Sequence, residues 1–154
     1  MSVVTPLPSP RPRTVGASIV VDAPASAVFA LLADPRRHHE VDGSSTVGTE
    51  VIGPRELLLG DRFRVSMKLK GIPYAMTSTV TDLIPDRVIE WRLPAGHKWR
   101  WELTPQGDAQ TRVTEIFDWS DATIPWLIEK IQAPTRNAQS IEASLKRLAL
   151  LVLT

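Results

Sequence analysis

Three side chains combine the ability to move a proton with large apolar neighbours: Glu115, His97 and Tyr74. Glu115 lies in "TRVTEIFDWS" (111–120). Side chains alternate between the faces of a strand, so strict alternation puts Glu115 beside Val113, Phe117 and Trp119. A carboxyl group in such surroundings has a raised pKa and can give or take a proton. A lone buried carboxylate is costly, and a bulge would turn it around. The pattern therefore favours an outward or salt-bridged Glu115. His97 follows Gly96 and reads first as a turn histidine, with general-base chemistry at a cavity rim as its functional reading. His38 and His39 are adjacent, so on a short helix they diverge. Metal ligation prefers partners four apart, and the pair reads as solvated histidines at a helix end. No metal, cofactor or prosthetic group is implied.

The sequence is richer in binding surface than in catalysts. "HKWRWEL" (97–103) sets Trp99 and Trp101 on one side of a strand, with Lys98, Arg100 and Glu102 on the other. Trp91 alternates with Glu90 and Arg92 and can join them. All five tryptophans lie between 91 and 126, so the second half of the chain supplies most of an aromatic wall. As core, each ring stabilises by about 3 kcal/mol. As a cluster whose indole donors need partners, they suit a pocket for a flat or elongated apolar ligand. The expected lining is Phe63, Met67, Tyr74 and Met76, then Trp91, Trp99, Trp101, Phe117 and Trp119. Asn137 and Ile141 join from the last helix. Asn137 and Ser144 fit equally as ligand contacts or as tolerated polar positions.

Bulk properties exclude several alternatives. A net charge of +1 is too small for general nucleic-acid binding, which needs clustered positive surface. The chain has no cysteine, so disulfides, thiolate metal sites and cysteine nucleophiles are out. No nucleophile elbow, zinc-protease helix or dinucleotide fingerprint occurs, and "GSSTVG" (43–48) lacks the lysine of a phosphate loop. That stretch reads as a mobile connection. The longest apolar run near the end, "LALLVL", is far short of the ~20 residues that span a bilayer. A soluble, cytoplasmic monomer or homodimer with no membrane span is expected.

The elements that position these residues follow from periodicity. Prolines at 6, 8, 10 and 12 favour an extended, mobile tail over residues 1–13. One domain is expected over 14–154. "TVGASIVVD" (14–22) reads as a strand. A helix follows Pro24 with Val28, Phe29 and Leu32 as its apolar stripe, and Asp34-Pro35 starts a second short helix to about Glu40. From 45 to 119, glycine- and proline-rich turns separate about six antiparallel strands. In "RFRVSMKLK", Phe63, Val65, Met67 and Leu69 face one way and the basic residues the other. "IPWLIEKI" gives a helical turn or two. Pro134 restarts the chain as a long helix with Asn137, Ile141, Ser144, Leu145, Leu148 and Val152 on one side.

This order is α+β: a strand, two short helices, a curved antiparallel sheet of about seven strands in all, and a long C-terminal helix lying across it. It resembles the helix-grip fold of the START/Bet v 1-like (SRPBCC) superfamily, in particular its polyketide cyclase/dehydrase-like branch. The matching words are "VVDAPASAVFALLADPRRHHEVD", "LGDRFRVSM", "STVTDLIPDRVIEWR", "TRVTEIFDWS" and the final helix. That branch commonly has proline and tryptophan where this chain has His39 and Val41, so a differently shaped mouth is expected. The resemblance implies a deep apolar cavity between sheet and helix. The function expected is binding of a hydrophobic small molecule, a lipid or polyketide, by a carrier or sensor. The alternative is an aromatase/cyclase or dehydrase using the same cavity, with Glu115, His97 and Tyr74 as candidates.

Overall fold

A computed structural model describes residues 3–7, 11–131 and 133–153. Its centre is one antiparallel sheet, with eight strands among the described residues. They are β1 (Thr5–Pro6), β2 (Thr14–Val21), β3 (Val47–Ile52), β4 (Arg62–Leu69), β5 (Ile72–Ile84), β6 (Val88–Arg92), β7 (Lys98–Pro105) and β8 (Thr111–Asp118). Their spatial order is β1-β2-β8-β7-β6-β5-β4-β3. From β3 to β8 each strand pairs with its successor, as short glycine turns require. The first long strand then pairs with the last. The helices are α1 (Ala25–Leu32), a 3-10 turn (Pro35–Arg37) running into α2 (His38–Val41), α3 (Pro125–Lys130) and α4 (Ala133–Leu151). This is the helix-grip α+β fold.

The tail differs from expectation. Residues Thr5 and Pro6 pair with Ser18 and Ala17, and Leu7 N–H donates to Gly16 C=O. Gly16 makes this possible: a Cβ there would lie 2.7 Å from Leu7 Cδ1 and 2.8 Å from Glu115 C=O. Thr5 and Pro6 become an eighth, outermost strand. Residues 8–10 lie outside the described residues.

Alternation assigns the two faces. On the outer face Arg100 donates to Glu102 at 2.6 Å, Asp82 at 2.9 Å and Glu90 at 3.2 Å. The inner face meets α4, which packs chiefly on β2 and β8 through Ile141, Ser144, Leu145 and Leu148. Together with Val28, Leu32, Ile19 and Val113 these residues form the core. The connection after α2 is held in place. The Asp42 carboxylate accepts from the backbone N–H groups of Ser44, Thr46 and Val47, and Gly43 N–H donates to Ser144 Oγ at 2.8 Å. Arg147 donates to the Asp42 carbonyl. "GSSTVG" is thus pinned across α4, because short polar side chains satisfy backbone donors that a turn leaves free.

Candidate functional site

Beyond the core, sheet and helix diverge and leave a cavity of about 520 Å³. Most of its wall is apolar. Phe63, Val65, Met67 and Leu69 come from successive inward positions of β4, Tyr74 and Met76 from β5, and Trp91 from β6. Trp99 and Trp101 on β7 face Phe117 and Glu115 on β8 as register partners. Strand alternation thus brings these side chains to one face of the sheet. Asn137 also lines it, one helical turn before the core residue Ile141.

Two expected lining positions lie elsewhere. Ile141 is buried in the core below the cavity. Trp119 stacks on Phe117 and sends its indole N–H to Glu129 at 3.0 Å, so its ring closes the core and not the pocket. Trp126 is 60% exposed on α3 and contributes nothing to the wall. The aromatic wall is therefore made by Phe63, Trp91, Trp99, Trp101 and Phe117, with Phe63–Trp91 edge contacts at 5.7 Å and Trp99–Phe117 at 5.0 Å.

Glu115 overturns the expectation of an outward or salt-bridged carboxylate. No bulge interrupts β8, and the residue is 6% exposed, lines the cavity, and has no hydrogen-bond partner for Oε1. Burial in the first place, and the Asp42 carboxylate in the second, push its pKa well above the usual carboxylate range. A neutral carboxyl group avoids most of the cost that argues against a buried carboxylate. His97 also faces the cavity. Its ring meets Phe117 edge-on at 5.6 Å, its Nδ1 is buried without a partner, and burial lowers its pKa. Tyr74 stands at the open end, 39% exposed.

His38 is a cavity-lining position that sequence reasoning misplaced. It is half-buried and turned inward: it stacks on Trp91 at 4.8 Å, meets Phe63 edge-on, and lines the cavity. Its Nε2 lies 2.8 Å from the Leu32 carbonyl, which accepts, so Nε2 carries the proton and Nδ1 is the acceptor nitrogen of a neutral ring. Burial lowers its pKa despite that hydrogen bond. The available signal was the Asp34-Pro35 cap, which fixes the phase of the turn and so decides which histidine of the pair points in. Ser78, Asp42 and Arg136 also line the cavity and gave no sequence signal. Among the described residues no group of three or more His, Asp or Glu is gathered to hold a metal ion, and no helix is long and apolar enough to cross a membrane.

Known proteins share this architecture. A crystal structure of a Rhodobacter sphaeroides protein superposes with a TM-score of 0.75 at 15% identity, covering 98% of both chains. The di-domain ARO/CYC BexL from the BE-7585A biosynthetic pathway matches with a TM-score of 0.65 at 22% identity, over 92% of this chain and 48% of that one. At these identities the likeness is one of fold. In sequence, the chain is 44% identical over 142 residues to the uncharacterized protein Rv0088 of Mycobacterium tuberculosis, covering 90% of this chain. It spans 63% of that relative's length. The family model described as polyketide cyclase / dehydrase and lipid transport matches residues 12–152. With that match spanning nearly the whole helix-grip unit and its cavity, the chain belongs to the polyketide cyclase/dehydrase and lipid transport family.

Proposed function

We propose that this domain binds one hydrophobic small molecule, a lipid or polyketide-like compound, in the internal cavity and serves as its carrier or sensor. The observation that carries the reading is the unfilled, aromatic-walled space of about 520 Å³. Small-molecule sites typically enclose ~300–1,000 Å³, mostly apolar with a few polar groups, as here. Binding exchanges hydrated indole and methionine surface for ligand contact, worth ~25 cal/mol per Å² of apolar area. The test is organic extraction of purified protein followed by mass spectrometry, repeated with Val65→Trp, which puts a ring into the cavity. The reading expects a stoichiometric apolar compound with the native chain and its loss from the variant. Equal recovery from both would overturn it.

One observation favours a second reading, an aromatase/cyclase or dehydrase-type enzyme: the Glu115 carboxyl group, whose burial raises its pKa, faces the same apolar cavity as His97, whose pKa burial lowers. In that reading Glu115 donates its proton to a ketone oxygen as a new carbon–carbon bond forms at the carbonyl carbon. Water takes the proton lost by the attacking carbon, and exchange with solvent restores the Glu115 proton. Glu115→Gln then abolishes turnover of a poly-β-ketone substrate while ligand binding persists. Undiminished turnover in that variant would remove Glu115 from the mechanism.

A further inference from the structure

Two donors stand side by side at the closed end of the cavity. Trp101 and Glu115 are register partners on β7 and β8, and they are 4% and 6% exposed. Both line the cavity, and neither Trp101 Nε1 nor Glu115 Oε1 has a hydrogen-bond partner. Exposure locates the end. Along β7, Leu103 and Trp101 are buried while Trp99 and His97 are half-buried; at the far side Leu69 and Tyr74 are 45% and 39% exposed. A buried polar atom left unpaired is costly, and this pair is buried together. An indole N–H only donates. A carboxyl group kept neutral by its apolar surroundings also donates.

We propose that Trp101 and Glu115 form a paired donor subsite that takes an uncharged acceptor oxygen, such as a ketone or ester carbonyl, at the buried end of an otherwise apolar ligand. The inference rests on the cavity-binding reading and specifies which end of the ligand enters first. A carboxylate is the wrong occupant. The Asp42 carboxylate acts on this end, and Arg136, the one lysine or arginine among the described lining residues, lies on the first turn of α4. A fatty acid therefore places its charged end toward Arg136 and its tail against Trp101. His97 stands four residues from Trp101 along the strand, about 13 Å away, and addresses a different part of the ligand.

Competition against the polarity-sensitive dye Nile red, using dodecane, 2-dodecanone and dodecanoate on the wild type, Trp101→Phe, Glu115→Leu and Arg136→Gln, tests this. The wild type is expected to bind 2-dodecanone about tenfold more tightly than dodecane, the advantage of one or two buried hydrogen bonds. In Trp101→Phe and Glu115→Leu that ratio falls toward unity, whatever the change in dodecane affinity itself. The dodecanoate-to-dodecane affinity ratio is expected to drop in Arg136→Gln and to hold in Trp101→Phe. Equal binding of ketone and alkane by the wild type, or an unchanged ratio in Trp101→Phe, overturns the donor subsite and leaves the cavity reading standing. Failure of the wild type to bind dye, alkane or ketone overturns both. If Glu115→Leu does not fold, Trp101→Phe decides alone.

Discussion

Glu115 shows how a single residue inverts a sound expectation. The cost of burying a carboxylate pointed outward, yet that cost applies to the charged form and the group escapes it by holding its proton. The pH dependence follows. The folded pKa is raised above the unfolded value of about 4.3, so between the two the folded state holds the extra proton. The stabilisation is complete below the unfolded pKa and is lost as pH rises through the folded one. Denaturation midpoints measured from about pH 4 to about pH 9 are expected to decline more for the wild type than for Glu115→Gln, which carries no titrating group there. Identical slopes would mean that Glu115 is ionised in the fold. The two cavity-facing histidines shift the other way. Imidazole proton titrations of His38 and His97 are expected to show midpoints below about 6.5, and a midpoint above it for either ring would contradict its desolvated setting.

Among the elements, those with a strict period of two were legible in detail. β4 and β7 place Phe63, Val65, Met67, Trp99 and Trp101 as alternation demands. Elements set by a cap or a crossing were less so. His38 depends on the phase of a 3-10 turn, and Ile141 and Trp119 share a face with lining residues but lie where sheet and helix have already closed. Periodicity gives the face of an element, not the depth along it at which a cavity ends. The α2–β3 connection makes a prediction at this scale. A Cβ at Gly43 would lie 2.4 Å from Ser140 C=O and 2.6 Å from Ser144 N, both backbone atoms of α4. Gly43→Ala must push the connection off the helix, so its urea midpoint should fall by the equivalent of ~1–3 kcal/mol. A change within ~0.5 kcal/mol would show that the contact yields freely.

For the whole molecule, the order of strands, short helices and one long helix was enough to recognise the fold, because short turns force sequential antiparallel pairing and leave few topologies. The outermost strand was not legible: prolines in Met1–Arg13 argue against a paired interior strand, but an edge tolerates them, as at Pro6. Nor could composition reveal a hollow, since the same aromatic residues pack a solid core equally well. The account therefore rests on the space between sheet and α4 accepting a ligand. The most direct measurement is a Nile red binding isotherm on delipidated protein, wild type beside Val65→Trp. A single saturable site in the wild type, weakened at least ~tenfold in the variant, is the predicted result. Equal isotherms for the two proteins, or no saturable binding by the wild type, would contradict it.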